Sequence, residues 1–355
     1  MERASWDLTV ALGHSEDVSV LTTPVPGHGE SFVADGIPVR TIRGAKSGKY
    51  SPRWWLATAR TRTDGYDAVL SVSAGATAMI LLGRKGPRYV FQAHGTAKRE
   101  LQATLRGKPS LWPLRALRYA WWMMIDRFSY RRSTVVGIGP AVIDALKDPA
   151  YAGAFRENGP TEIPNGVGAP PPRLDPPSDR DRPVLLAAAR LTAQKGVDRV
   201  IAALPAGRGS LTVLGDGPEL AALARLAADS GVESRVTFSG HVDAEAVRKA
   251  MACADAFVFL PRNIEREGLP MVVLEALAAG LPIVTLDGGL WPADIRDQLT
   301  IVRDATPAAV AEAIAAVDDL PRTALPERYR MENVVARYRE LFGELDARPA
   351  EGTRA

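Results

Sequence analysis

Short apolar runs separated by helical stretches recur along the whole chain, and that alternation limits the fold more than any other feature. In the first half, strands are predicted at Asp17–Leu21, Val39–Ile42, Ala68–Val72, Tyr89–Gln92 and Thr134–Ile138, with helices such as Pro52–Thr61 and Leu111–Arg131 between them. In the second half, strands are predicted at Pro183–Ala188, Leu211–Leu214, Arg235–Ser239, Ala256–Phe259, Pro282–Thr285 and Thr300–Val302, with helices such as Gly196–Leu204, Glu219–Ser230, Ala244–Ala252, Met271–Ala279 and Pro307–Val317. Many runs are apolar throughout instead of alternating, which suits strands covered on both faces, as in a parallel sheet. Two consecutive sets of βα units predict an α/β chain of two doubly wound, Rossmann-type domains. Ligands of such sheets bind at the carboxyl ends of the strands, so two domains offer a cleft between two binding rims. The 355 residues suit that division, since about 150 residues is an ordinary domain.

Gly168–Pro177 holds five prolines and can be neither helix nor central strand, because proline lacks the amide donor and fixes φ. It reads as a stiff connector. The predicted organisation is a first domain over 1–167, a linker over 168–181, a second domain over 182–325, and a terminal helical segment over 326–346. That last helix, Tyr329–Leu345, has an apolar stripe of Val334, Val335, Tyr338, Leu341, Phe342 and Leu345.

Composition excludes several classes. Hydrophobic residues at 46% and charged residues at 24% are globular values, not those of a disordered chain. There is no apolar run long enough to span a bilayer, and no apolar run behind Met1-Glu2-Arg3 to suggest a signal peptide. A single cysteine, Cys253, excludes an internal disulfide and a cysteine metal site. The expectation is a cytoplasmic protein.

The densest chemical signal runs from Glu267 through Gly268, Leu269, Pro270 and Met271 to Glu275 and Gly280, just after the strand Ala256–Phe259. Pro270 suits a helix's first turn and Gly280 its stop. The free amides at that helix start make an anion site. Glu267 and Glu275 would stand at most roughly 12 Å apart at about 1.5 Å per residue, enough for one to meet a sugar and the other a ribose. A second piece, Arg190-Leu-Thr-Ala-Gln-Lys195-Gly196, follows the strand Val184–Ala188, and a forked guanidinium beside a compact ammonium suits a diphosphate. Gly215 lies in a third, Leu214-Gly-Asp-Gly-Pro218, and Val242 in a fourth, His241-Val242. Each alone is an ordinary loop or a chance spacing. Together, in one domain and each at a strand end, they point to a nucleotide-sugar site.

With these motifs the chain resembles the retaining GT-B glycosyltransferases of family four, the glycosyl transferases group 1. The resemblance covers nearly all of the C-terminal half. It reaches more loosely into the first half through Ile163-Pro-Asn-Gly-Val167 and through His94-Gly95 after the strand Tyr89–Gln92. It implies that Arg190 and Lys195 hold the donor diphosphate and that Glu267 contacts the sugar hydroxyls and Glu275 the ribose. It further implies that Gly215, Gly268, Leu269, Pro270 and Met271 line the donor, that Val242 borders the base, and that His94 orients sugar or acceptor. It also implies that the terminal helix crosses back to the first domain. The substrates implied are a nucleoside diphosphate sugar and a glycan or lipid-linked acceptor, with no other cofactor. Asp179-Arg-Asp181 has the Asp-x-Asp form of a metal site, but its place in the proline-rich linker argues against that use.

One element of the family has no counterpart. Members open on a strand and a glycine-rich loop, whereas Ala4–Leu12 already looks like the helix that follows. The expectation is a first domain lacking its first strand, poorly stable or weakly active in this form. Two other readings compete with a transferase: a nucleotide-sugar epimerase of the same fold, and a sugar-nucleotide binder without catalysis.

Net charge is only +3, yet Lys98–Arg132 carries nine basic residues against Glu100 and Asp126. Leu114, Leu117, Trp121, Met124 and Phe128 form one helical stripe there. Two readings follow: a core-packed helix with a solvated basic face, or peripheral docking to an anionic membrane with aromatics at the interface. No motif supports binding to nucleic acid.

Overall fold

The computed structural model of the chain describes residues 3–347 apart from 49, 83–86, 99–111, 157–158, 171, 174–182, 265–268 and 289–290. The chain divides into two compact units, Met1–Gly166 with Met331–Ala355, and Val167–Arg330.

In the first unit, helix α1 (Arg3–Leu12) precedes β1 (Val20–Thr22), β2 (Ser31–Ala34), β3 (Ile37–Thr41), α2 (Pro52–Arg60), β4 (Ala68–Val72), α3 (Thr77–Leu81), β5 (Arg88–Ala93), α4 (Trp112–Arg132), β6 (Thr134–Gly137), α5 (Pro140–Leu146) and β7 (Thr161–Glu162). The strands form two sheets. One has the order β1-β3-β2 and the other β4-β5-β6-β7. The second is parallel throughout. In the first, β2 pairs antiparallel with β3 across Asp35-Gly36, both at positive φ, which is the two-residue hairpin turn that favours Asp-Gly. Leu21 of β1 packs against both the Ile42–Trp54 cluster and the cluster containing Phe91 and Tyr130, so the two sheets share an apolar interior.

The C-terminal helix (Met331–Ala347), counted below as α12, belongs to this unit. Val334 and Tyr338 are fully buried with Leu8, Leu12, Val90, Val136 and Ile163. The helix thus closes one face of the β4–β7 sheet together with α1. Tyr329, placed in this helix by its periodicity, lies instead in a 3-10 turn and is buried in the second unit's core.

The second unit runs β8 (Val184–Ala188), α6 (Val197–Ala203), β9 (Ser210–Leu214), α7 (Leu220–Asp229), β10 (Val236–Phe238), α8 (Ala244–Cys253), β11 (Ala256–Phe259), α9 (Met271–Ala278), β12 (Ile283–Leu286), α10 (Ala293–Arg296), β13 (Leu299–Val302) and α11 (Pro307–Ala315). Its six strands are parallel in the order β10-β9-β8-β11-β12-β13. Counted from β8 this is the doubly wound order 3-2-1-4-5-6, whose reversal lies between β8 and β11. Separate apolar clusters cover the two faces. One holds Leu185, Ile201 and Val213, the other Leu186, Phe257, Leu274 and Ile283. Neighbours in β8 and β11 therefore face opposite clusters, and those strands read as continuous apolar runs.

Candidate functional site

The loops leaving β8 and β11 flank the point where strand order reverses, which is where a doubly wound sheet receives its ligand. Arg190 and Lys195 lie in the first loop; Leu269 and Pro270 lie at the end of the second, and Met271 opens α9. Glu267 and Gly268 fall outside the described residues, as do Asp179 and Asp181. The fold thus brings the two cations and the start of α9 to one end of one sheet.

The start of α9 has the chemistry of an anion site. Pro270 is its cap residue, not part of its first turn, and no side chain caps the helix. Val273 and Leu274 donate back to the Pro270 carbonyl. The amides of Met271 and Val272 precede any intrahelical acceptor. The helix ends as Leu281 donates to Ala276 and Gly280 to Leu277, a Schellman arrangement. Val273, Leu274, Ala276 and Leu277 anchor it in the core, while Glu275 is only half-buried.

The cationic loop is held by residues that sequence reasoning missed. The Arg262 amide donates to Gln194 O at 2.8 Å, its Nε donates to Ala193 O at 2.9 Å, and its guanidinium pairs with Asp198. Arg199 Nη1 donates to Leu260 O and Pro261 O at 3.1 and 3.2 Å. Gly196, at φ +69°, sits so close that an added Cβ would lie 1.9 Å from Leu260 O. Five polar contacts and the close approach of Gly196 therefore tie the segment after β8 to the β11 loop and fix where Lys195 departs from the backbone. The only sequence signal was that Arg199 and Arg262 stand near strand ends, which many surface arginines share.

The glycine turn serves the same loop. Gly215, at φ +129°, would place a Cβ 1.9 Å from Ala189 O. Its amide donates to Gly240 O, and the Leu191 amide donates to Asp216 O. Gly215 therefore sets the path of the residues leading to Arg190, whose side chain is exposed. Val242 packs on the cluster containing Leu214 and Phe259, and Asp243 caps α8 by accepting from Ala246 N at 2.8 Å. The described donor-site candidates Arg190, Lys195, Gly215, Val242, Leu269 and Pro270 thus stand on loops at the carboxyl ends of β8, β9, β10 and β11, with Met271 and Glu275 on α9 behind them.

His94 belongs to the first unit, just past β5 and half-buried. Its Nε2 lies 3.2 Å from Gln92 Oε1, and Gln92 Nε2 donates to the Tyr338 hydroxyl at 2.9 Å. Beyond it, the Ala97 amide and the Tyr151 hydroxyl approach Asp126 Oδ2 from 3.4 and 3.5 Å, and Lys98 pairs with Asp148 at 2.6 Å. Desolvation pushes the Asp126 carboxyl up to about 6 despite those hydrogen bonds. Among the described residues no group of three or more His, Cys, Asp or Glu side chains is arranged to hold a metal ion.

A six-stranded parallel sheet in this order, with cations and a helix start at its reversal, is the doubly wound architecture that receives nucleotides in many other proteins. Residues 173–333, most of the second unit, match the family Glycosyl transferases group 1. The chain's fold is that of the GT-B glycosyltransferases. The sucrose-phosphate synthase of Thermosynechococcus elongatus aligns with a TM-score of 0.69 at 17% identity, over 96% of this chain and 92% of that one. HepE of Anabaena, solved with UDP and glucose, aligns with a TM-score of 0.65 at 17% identity, over 97% and 96%. In sequence the chain is similar to the GDP-mannose-dependent alpha-(1-6)-phosphatidylinositol monomannoside mannosyltransferase of Mycobacterium tuberculosis, 35% identical over 38% of each protein. It is also similar to the lipopolysaccharide core biosynthesis glycosyltransferase LpsE of Rhizobium meliloti, 32% identical over 57% of this chain and 60% of that protein. The chain spans under two fifths of the length of the mycobacterial relatives it matches.

Proposed function

We propose that the chain is a retaining glycosyltransferase that moves a hexosyl group from a nucleoside diphosphate sugar to a hydroxyl of a lipid-linked or cell-envelope glycan acceptor. The observation that carries this is the pairing of Arg190 and Lys195 with the uncapped start of α9 at the reversal point of the second unit's sheet. The curated relatives, named for a phosphatidylinositol mannoside and a lipopolysaccharide core, support the acceptor class.

In this reading the bond from the anomeric carbon to the diphosphate oxygen breaks, and both electrons stay with the diphosphate. The acceptor oxygen bonds to the anomeric carbon, and its proton passes to the leaving diphosphate. Charge grows on the diphosphate as the bond breaks, so cations and amides fixed beforehand stabilise the transition state more than the bound donor. Glu275 holds the ribose, Glu267 the sugar, Val242 borders the base, and His94 orients sugar or acceptor.

The test is a screen of UDP-, GDP- and dTDP-sugars for release of the nucleoside diphosphate. Lys195→Ala should slow release by about 10²-fold, as loss of a transition-state donor does. Glu275→Ala should weaken donor binding roughly tenfold, as loss of a charged hydrogen bond does. Unchanged kinetics in both variants sink the assignment. Tight donor binding with no release favours the non-catalytic reading.

The reading includes a peripheral contact, at the cytoplasmic face, with an anionic membrane through residues 98–132. Its support is the stripe of α4, which faces solvent: Leu117 is 70% exposed, Trp121 53%, Met124 47% and Phe128 42%. Tyr130, Met123 and Ser129 of the same helix turn inward, which leaves those four side chains on its outer face. Arg118 and Arg132 flank the stripe, each over an aromatic ring. No helix among the described residues is long and apolar enough to cross a membrane. Flotation with phosphatidylglycerol vesicles should carry the protein, and Trp121→Ala with Phe128→Ala should leave it behind. Equal, negligible flotation with anionic and neutral vesicles ends the idea.

A further inference from the structure

The buried link between His94 and the C-terminal helix has no counterpart among the expected site residues. Strand side chains alternate faces, so Val90, Gln92 and His94 stand on one side of β5 and its extension. Val90 faces the cluster formed by α1, α12 and β6, where every other member is apolar or is Tyr338. Gln92 lies at the edge of that cluster, 2% exposed. Burying an amide costs about 1–3 kcal/mol unless its groups are paired, and a leucine or methionine would avoid the cost. Both ends of the Gln92 amide are paired: Nε2 donates to the Tyr338 hydroxyl at 2.9 Å, and Oε1 lies 3.2 Å from His94 Nε2. Tyr338 is fully buried, and burial holds its phenol neutral well above the ordinary range. A neutral phenol keeps both its proton and its lone pairs, and here its oxygen accepts from Gln92 Nε2. With Nε2 committed to it, Oε1 must face the imidazole, and an oxygen there accepts from Nε2–H.

We propose that Gln92 and Tyr338 are positioning residues, through which the C-terminal helix sets the ring orientation and the Nε2–H tautomer of His94. The proposal rests on the reading of His94 as a substrate-facing residue. In that reading the opposite nitrogen, Nδ1, is left as the ring's acceptor. It assigns α12 a role in the site beyond burying apolar surface.

The experiment uses the whole chain and a readout that needs no donor. With ¹⁵N-labelled histidine, only four imidazoles contribute signals, and His94→Ala identifies the one that matters. At about pH 8, above the ordinary histidine range, the wild-type His94 ring should report the Nε2–H tautomer. A ring in the Nδ1–H form overturns the proposal. Tyr338→Phe alone strands the Gln92 amide and should lower stability, which a structural role would also do. The double variant Gln92→Met, Tyr338→Phe separates the two roles. Removing both partners of a buried hydrogen bond is close to neutral for stability, so it should melt near the wild type while the His94 tautomer preference is lost. Release of nucleoside diphosphate from GDP-mannose or UDP-glucose, whichever the wild type turns over, should stay down by about tenfold, the order expected of a misplaced group. If stability, tautomer and rate all return together, the contact is only structural and the proposal fails. If His94→Ala releases product at the wild-type rate, it is the role of His94 in transfer that fails, and the tautomer still decides the positioning claim.

Discussion

Asp126 shows how a single group sets a pH dependence. Its carboxyl, held under α4 beside the Tyr151 hydroxyl and the Ala97 amide, is raised to about 6, and desolvation is the leading cause. Tyr151 is pushed up to about 12 by burial and then by that carboxylate. The folded pKa of Asp126 exceeds the unfolded value, so the native state binds the proton more tightly. The stabilising effect is complete below the unfolded value, about 4, and is lost as pH rises through about 6. Asp126→Asn keeps an acceptor and removes the charge. It should raise stability by about 1–3 kcal/mol near pH 8, with the gain vanishing near pH 4. Urea unfolding at the two pH values measures this, and an equal gain at both would exclude titration as the cause. Nothing in the sequence marked Asp126, because its neighbours arrive from loops remote along the chain. Gln92 was more legible. It is the polar end of an otherwise apolar strand, Tyr89–Gln92, and a buried amide needs partners, although its partner Tyr338 lies 246 residues away.

Elements were legible where both faces are covered. β8, β9, β11 and β12 all appear within a residue or two of their predicted bounds, because a strand covered on two faces is mostly apolar. β2 was missed. Its burial alternates with exposure, and its pairing depends on a hairpin whose Asp35-Gly36 signal stood in the sequence unread. The α4 stripe was seen, but periodicity reports which residues share a face and not whether that face finds a partner. The β8 loop gives the sharpest test at this scale. Gly196→Ala would place a methyl against Leu260 O and force a left-handed backbone on an L side chain. It should destabilise the second unit by at least about 2 kcal/mol and weaken donor binding by displacing Lys195. Arg262→Ala removes only the polar ties to Ala193 and Asp198. It should weaken donor binding severalfold with a smaller change in melting temperature. Wild-type affinity in Arg262→Ala would show that the loop holds its path without that guanidinium.

For the molecule as a whole, chain order and spatial order differ at one place, and that place is testable. The second unit is one continuous stretch, Val167–Arg330, with its own two clusters and a complete 3-2-1-4-5-6 sheet. The first unit is discontinuous and draws Val334 and Tyr338 back from the far end of the sequence. Cutting the chain after Arg330 should therefore act on the two units unequally. The first loses two fully buried side chains, each contributing about 1.5–3 kcal/mol, and leaves Leu8, Leu12 and Val136 uncovered, out of a domain stability of only about 5–15 kcal/mol. Its cooperative transition should shift to much lower denaturant or disappear. The second keeps every residue of both clusters, including Tyr329, which accepts at its carbonyl from the Val167 amide at 2.8 Å. Hydrogen exchange of the truncated chain resolves the two: protection should survive in β8–β13 and collapse in β4–β7. Equal loss in both would mean that the second unit cannot stand without its neighbour. Unchanged protection in β4–β7 would mean that α12 decorates the first unit without supporting its core.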